Sequence, residues 1–272
     1  MQSVDKFGLC LLTVVLAAAP ASAQRLTDEE LQADLREHGL RVATKRAVLH
    51  FDRQGLTPEQ RKDFARLVDQ GVRHVRSFLK LGARKEKMEY FISARVRISH
   101  TNYDGVFLPL QRVVDRNAPY LHETAHALIP GDTRSIWLME GFASYVESHV
   151  SEKYGGYAGH VFVLGGNREV DREAQNHLET EGGKTAVAYI GARGVPRGFY
   201  YDRQRVAAPY YVLSHSFVKF LIEKTGVKRV LALHKPEDSL AALEETTGKS
   251  GELWRSEWLA SIETKRAAAA YP

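Results

Sequence analysis

The chain has 272 residues, of which 44% are hydrophobic and 26% are charged, with 21 glycines, 9 prolines and a formal net charge of +5. This composition is typical of a folded domain and excludes disordered, collagen-like and membrane-embedded chains. A single cysteine excludes a disulfide framework within one chain and a metal site built from several thiolates. The basic residues form no run of five or more, so nucleic-acid binding is not predicted.

The first 23 residues predict a secretory signal peptide. An apolar stretch follows Lys6 and ends at Ala21-Ser22-Ala23, the small-residue pattern of a signal-peptidase site. A membrane anchor is the alternative, but the stretch Leu9–Ala19 has 11 residues, whereas a span needs roughly 20. Cys10 leaves with this segment, and a thiol-free exported chain fits a bacterial periplasm or medium. We expect residues 24–272 to form one secreted or periplasmic domain without stable membrane insertion.

The N-terminal half of this domain is predicted to contain both helices and strands. Thr27 is predicted to cap a helix over 25–38, and Thr57 to cap a longer helix that ends at Gly82. Strands are predicted over 46–52, 87–98 and 105–114. We expect the last of these to be an edge strand, because Pro109 cannot donate to a ladder.

The C-terminal part is predicted to be mainly helical. Helices are predicted over 120–129, 136–151, 210–225, 227–234, 239–246 and 251–265. The glycine- and arginine-rich segment 155–205 is interpreted as loops with a short helix near 172–178. The sequence therefore predicts an α+β fold with a small mixed sheet and a helical C-terminal lobe.

A metal-binding motif lies in the first of these C-terminal helices. The segment His122-Glu123-Thr124-Ala125-His126 is an H-E-x-x-H sequence. Four-residue spacing places both imidazoles on one face of a helix, where two nitrogens can bind one zinc ion. Glu123 is rotated by about 100° from His122, so it flanks the metal and can take a proton from water.

The third protein ligand of this site has two candidates. Glu140 lies on the next predicted helix, which would return it towards the motif, and Ser144 and Glu147 share its helical face. Asp132 occupies the place of the last ligand in the longer H-E-x-x-H-x-x-G-x-x-H pattern. Ile129, however, stands where that pattern requires a glycine to turn the chain.

The two segments together resemble the gluzincin metallopeptidases, and most closely their small secreted peptidase-MA-like group. The resemblance rests on His122–His126 followed by Trp137-Leu-Met-Glu-Gly-Phe-Ala-Ser-Tyr-Val-Glu147, and more loosely on Tyr211–Ile222. It implies a zincin-like fold with an H-E-x-x-H active-site helix, Glu140 as third zinc ligand, and zinc-dependent hydrolysis of peptide bonds with Glu123 as general base. It also implies a later tyrosine or histidine that stabilises the oxyanion.

The residue that stabilises the oxyanion is predicted to be Tyr211, with Tyr210 and His215 as alternatives. We expect a peptide or protein substrate, and endopeptidase activity because the exopeptidase motif of gluzincin aminopeptidases is missing. The strand Gly105–Leu110 is a candidate edge for pairing with an extended peptide. Two other functions stay open: a zincin-fold binding protein without turnover, and a zinc hydrolase acting on an ester or cell-wall amide.

Overall fold

One mixed sheet contains the five strands of the described residues. The computed structural model of the protein describes residues 26–82, 86–102, 105–129, 131, 134–155, 165–192 and 203–270. The strands are β1 (Leu40–Ala43), β2 (Ala47–Phe51), β3 (Met88–Ser93), β4 (His100–Asn102) and β5 (Gly105–Pro109), in the spatial order β1-β2-β3-β5-β4. The β1–β2 and β4–β5 pairs are antiparallel, whereas β2–β3 and β3–β5 are parallel. The small mixed sheet and the α+β class are thus confirmed.

The prediction that the strand beginning at Gly105 lies at the sheet edge is wrong. β5 pairs with β3 on one side and with β4 on the other, so the three-residue β4 is the terminal strand. Pro109 is tolerated because it is the last residue of β5 and lies beyond the part that pairs with β4. The chain then turns into a short helix, α3 (Leu110–Val114), where a strand was predicted.

Two helices of the N-terminal half are capped as predicted. In α1 (Asp28–His38) and α2 (Pro58–Phe78), Thr27 and Thr57 each form a capping box with the residue three positions on. The end of α2 differs from the prediction. Lys80 takes a left-handed conformation, φ 54°, and the amide of Leu81 donates to the carbonyl oxygen of Arg76. This Schellman motif ends α2 before Gly82 is reached.

The helical C-terminal part begins with the two helices that carry the predicted site. They are α4 (Tyr120–Leu128) and α5 (Ile136–Tyr154). The following helices are α6 (Gly166–Leu178), α7 (Glu181–Val187), α8 (Arg203–Thr225), α9 (Val227–Ala232), α10 (Ser239–Thr247) and α11 (Gly251–Ala270). The short helix predicted near 172–178 is confirmed as the C-terminal half of α6. The loops predicted for the first half of α6 and for α7 are wrong, because burial of Val170, Ala174 and Ala186 stabilises these helices.

The two faces of the sheet are covered differently. Alternate residues of β3, Tyr90 and Ile92, face the main hydrophobic core with α2, α4 and α5. Phe91 points to the other face, where it forms a small cluster with Leu35 of α1 and Phe107 of β5. The sheet therefore separates α1 from the helices that carry the predicted site.

No helix in the described part of the chain has both the length and the apolar character needed to cross a membrane. The predicted signal peptide, residues 1–23, and the candidate ligand Asp132 lie outside the described residues.

Candidate metal centre

Two imidazoles and one carboxylate meet between α4 and α5. Nε2 of His122 lies 3.0 Å from Nε2 of His126 and 3.1 Å from Oε2 of Glu140. The third distance, from Nε2 of His126 to Oε2 of Glu140, is 3.5 Å. These three side chains can hold a metal ion, since each offers one ligand atom to a common point. The side chains of His122, His126 and Glu140 are 13%, 16% and 20% exposed, respectively, so the cluster is partly accessible to solvent.

The position of α4 is set by contacts on the side away from the cluster. Gly71 of α2 faces Tyr120 and Leu121, and a Cβ atom there would lie 2.8 Å from side-chain atoms of both. The hydroxyl group of Thr124 accepts a hydrogen bond from Tyr90 of β3 at 2.7 Å and donates to the carbonyl oxygen of Tyr120. These buried contacts orient the opposite face of α4, with its two histidines, towards α5.

The position of Glu140 depends on a close approach of α5 and α8. Gly141 follows Glu140, and a Cβ atom on it would overlap the carbonyl oxygen of Ser214 and lie 2.8 Å from a methyl group of Val218. Nearby, the rings of Trp137 and Phe217 pack with their centroids 5.2 Å apart. The glycine therefore allows α8 to lie directly against α5 beside the cluster.

The electrostatics of the cluster favour a positive charge at its centre. Burial lowers the pKa of His122, but the hydrogen bond and the charge of Glu140 outweigh burial and raise this pKa to about 9. Burial also raises the pKa of Glu140, yet the charge of His126 and hydrogen bonds from both rings hold it well below its usual range. A bound cation would replace the proton of His122, because a metal ion is ligated by a neutral imidazole.

Glu123 lies outside this ligand cluster and is fixed by the edge strand of the sheet. The hydroxyl group of Thr101, in β4, donates to Oε2 of Glu123 at 2.8 Å and also lies 3.1 Å from its backbone carbonyl oxygen. The glutamate side chain is buried, with 5% of the residue exposed.

Glu147, on the same face of α5 as Glu140, is also buried, and its Oε2 lies 3.9 Å from Nδ1 of His122. Glu147 therefore faces the ring nitrogen that is turned away from the other ligands.

The predicted partner Ser144 behaves differently from Glu147. Ser144 is half-buried on α5. In the described part of the chain, its side chain forms no hydrogen bond with the imidazole of His122 or of His126. Only one of the two polar residues that share the face of Glu140 therefore approaches a histidine of the cluster.

The three candidates for the oxyanion donor lie close together in α8 but have different surroundings. Nε2 of His215 donates to Oδ1 of Asn167 at 2.6 Å, which directs this ring towards α6. Tyr210 is fully buried, and its pKa is strongly raised by burial and further by the charge of Glu140. Tyr211 is half-buried, with its ring centroid 6.3 Å from that of Tyr210. Tyr210 is thus near the cluster, and Tyr211 is the more accessible phenol.

Two residues near the cluster were missed by sequence reasoning. Thr101 carries no motif, since a threonine in a short strand has no spacing relation to Glu123 twenty-two positions away. His234 is buried, and its ring packs edge-on against Phe142. A Cβ atom on Gly131, in the connection between α4 and α5, would overlap the carbonyl oxygen of His234. The pKa of His234 is lowered to about 4, mainly by burial and in part by the charge of His126, against two backbone hydrogen bonds that raise it, so this ring is neutral at pH 7.

No protein-family model matches the chain, and no curated protein matches it either. The geometry of the site is therefore the basis for assigning a function.

Proposed function

We propose that the protein is a zinc-dependent metallopeptidase of the gluzincin type, exported by a bacterium and acting on peptide or protein substrates. The observation that carries this proposal is the convergence of His122, His126 and Glu140 on one point. Two imidazoles and a carboxylate are a ligand set of catalytic zinc sites, which keep a further position open for water or substrate. The partial exposure of the three side chains is consistent with such an open position.

The spacing of the three ligand atoms also supports zinc. A tetrahedral site with ligands at about 2.0–2.2 Å from the metal has ligand atoms about 3.3–3.6 Å apart. The observed separations of 3.0, 3.1 and 3.5 Å are close to those values. Larger oxygen-preferring cations such as calcium take six to eight oxygen ligands, which two imidazoles do not supply.

The residues around the metal site have separate roles in the proposed hydrolysis. His122, His126 and Glu140 would hold the zinc ion, which when bound would supply Lewis acidity to lower the pKa of a water molecule and to polarise a carbonyl group. Glu123 accepts the proton of the attacking water and transfers it to the leaving amine. Thr101 orients the carboxylate of Glu123, and Glu147 faces the outer nitrogen of His122, where a carboxylate favours the tautomer that ligates through Nε2.

The edge of the sheet supports a peptide as the substrate. β4 is the terminal strand, and it carries the threonine that contacts Glu123. An extended peptide that pairs with this strand would run past the proposed general base. We assign the pairing edge to β4 instead of Gly105–Leu110, because β5 is already paired on both sides. In the described part of the chain no strand pairs with the outer edge of β4, and a free strand edge suits internal segments of a substrate chain, so we propose endopeptidase activity. The proposed donor to the oxyanion is Tyr211.

The test of this function compares Glu123→Gln with the wild-type chain. Both proteins are loaded with zinc, their metal content is measured, and cleavage of a peptide library is followed by mass spectrometry. The variant should keep zinc and lose about 100-fold or more of the rate, since a general base contributes about 10²–10⁴. Glu181→Gln, an exposed glutamate of α7, is the matched control and should cleave normally.

Four results would contradict the proposal. Undiminished cleavage by Glu123→Gln would exclude the general base, and activity that survives complete removal of zinc by a chelator would exclude the metal. If the zinc-loaded wild-type chain cleaves no peptide but hydrolyses esters or cell-wall amides, the protein is a hydrolase of that class instead. If it hydrolyses neither peptides, esters nor cell-wall amides, it is a binding protein.

A further inference from the structure

A second site lies away from the metal centre, between α2 and the turn that joins β1 to β2. It is a groove with a volume of about 390 Å³, within the range of small-ligand sites. Its charged lining consists of Lys45, Arg46, Lys62, Arg66, Asp69 and Arg73. None of these residues belongs to the metal centre. We refer to this feature as the basic groove.

The basic groove holds most of the excess positive charge of the chain. Five cationic side chains face a single carboxylate, an excess of four positive charges, against a formal net charge of +5 for all 272 residues. Lys45 and Lys62 form no ion pair among the described residues. Arg66 has only an exposed contact with Asp63 at 3.6 Å, which solvent screens. The groove therefore presents uncompensated positive charge to solvent.

The single carboxylate of the groove has a structural role. Oδ1 of Asp69 accepts from the backbone amide of Arg46 at 2.7 Å, and Oδ2 accepts from its guanidinium group at 2.7 Å. Burial raises the pKa of Asp69, but hydrogen bonds from Thr44 and Arg46 and the Arg46 charge lower it overall, so Asp69 stays ionised. This pair joins the β1–β2 turn to α2. Asp69 neutralises the charge of Arg46, so the other four cations of the groove can contact a ligand.

The cations on α2 form a row. Lys62, Arg66 and Arg73 are separated by four and seven residues, which places them on one face of the helix over about 16 Å. A single small anion contacts at most one or two of these side chains. A row of this length matches an anion whose charges are distributed along a chain.

We propose that the basic groove binds a linear, soluble anion that carries several phosphate groups. One guanidinium group can donate two parallel hydrogen bonds to two oxygens of a phosphate group. The β1–β2 turn, which Asp69 holds against α2, contributes Lys45 from the opposite side of the groove. Among the described residues that line the groove, none is aromatic, so base stacking does not favour single-stranded nucleic acid. The concave shape favours a free chain over the flat surface of a membrane.

The test uses tripolyphosphate as the probe and isothermal titration calorimetry as the measurement. Lys62→Gln/Arg73→Gln removes two groove cations, both exposed, so the fold should be retained. Arg172→Gln/Lys184→Gln is the matched control, since it removes the same charge from exposed positions on α6 and α7. The groove variant should bind about ten-fold or more weakly, whereas the control should stay within about two-fold of wild type. All of these proteins keep the metal centre, so phosphate binding to zinc is equal among them.

Several results would overturn the proposal. Equal weakening in the groove and control variants would show an effect of net charge alone, and absence of binding to the wild-type chain would exclude the site. Orthophosphate that binds as tightly as tripolyphosphate would exclude recognition of a chain. Groove-dependent binding to phosphatidylglycerol vesicles or to a thymidine oligonucleotide, without binding of tripolyphosphate, would assign the groove to a lipid or a nucleic acid instead. The proposed peptidase activity is measured separately and does not depend on these outcomes.

Discussion

The hydroxyl group of Thr101 lies 2.8 Å from Oε2 of Glu123, so the terminal strand of the sheet contacts the carboxylate proposed as the general base. β4 is itself tied to α1, because Oδ2 of Asp28 accepts hydrogen bonds from His100 at 3.0 Å and from Asn102 at 3.1 Å. The two contacts flank Thr101 on both sides. The orientation of Glu123 thus depends on a strand held by the N-terminal helix.

Replacement of Thr101 by Val should lower kcat by about ten- to hundred-fold, because a hydrogen bond to a charged group contributes about 1.5–3 kcal/mol. KM and zinc content should change little, since Val keeps the shape and the strand propensity of Thr, whereas the melting temperature should fall because the buried carboxylate loses a donor. Thr101→Ser restores the hydroxyl group and should recover most of the rate. Steady-state kinetics on the three proteins measures this, and an unchanged kcat in the Val variant would contradict the role of Thr101.

Replacement of Glu140 by Ala should remove one of three metal ligands and weaken zinc binding by about 100-fold or more. Asp132→Ala, which removes the competing candidate, should leave the zinc content unchanged. Zinc bound per chain, measured by mass spectrometry against a competing chelator, distinguishes the two. The reverse pattern, with zinc lost only from the Asp132 variant, would exclude Glu140 as the ligand.

Replacement of Tyr211 by Phe should lower kcat by about 100-fold if its hydroxyl group stabilises the oxyanion, because loss of one such donor costs about 10²–10³. Tyr210→Phe should have a smaller effect on kcat, since this phenol is fully buried. A transition-state-like phosphonamidate peptide should bind more weakly to the Tyr211 variant, with substrate KM almost unchanged. A larger kcat loss in the Tyr210 variant would transfer the role to that residue.

Replacement of Gly141 by Ala should destabilise the protein by about 2 kcal/mol, because the new methyl group would overlap the Ser214 carbonyl oxygen. This cost exceeds the gain in helix propensity of about 1 kcal/mol. Gly82→Ala is the matched control, since no atom lies within 4 Å of a Cβ at that position. Urea denaturation measures both variants. Equal stability of the two would show that α5 and α8 can separate without cost.

Replacement of Asp171 by Asn should destabilise the fold by about 3 kcal/mol at pH 7, because it removes the nearest carboxylate from the largely buried ammonium group of Lys219 and leaves it only the half-exposed Glu223, 3.6 Å away. Asp171 accepts from Lys219 at 2.6 Å, from Ser216 at 2.8 Å and from Lys265 at 2.5 Å, and so joins α6 to α8 and α11. Burial raises the pKa of Asp171, but these hydrogen bonds and the charge of Lys219 lower it overall.

The sign of the pH dependence follows from that lowered pKa. The stabilisation is fully present above the unfolded Asp pKa of about 3.9 and is lost as the pH falls through the lower folded value. The difference between wild type and Asp171→Asn should therefore stay constant from pH 7 to 5 and shrink below about pH 4. Asp63→Asn, an exposed control, should change stability little at any of these pH values. A difference that grows on acidification would contradict the assignment.

Local sequence predicted those features that depend on residues near one another in the chain. The four-residue spacing of His122 and His126 placed both rings on one face of α4, and both threonine caps formed as expected. Such features follow from helix periodicity and from hydrogen bonds that span three positions. The meeting of these rings with Glu140 was also predicted, through the resemblance of the two helical segments.

Contacts between segments that are distant in the sequence determine the features that local sequence did not predict. The local sequence pattern predicted that β5 is an edge strand, but in the structure β5 lies between β3 and β4. Strand order depends on pairing across the whole sheet, which local sequence does not specify. The bond from Thr101 to Glu123 and the closeness of α8 to Gly141 have no local signature, since each requires a partner brought near by packing. The candidate ligand residues can thus be identified from the sequence, whereas the neighbours that orient them are brought near only when the sheet and the helices pack together.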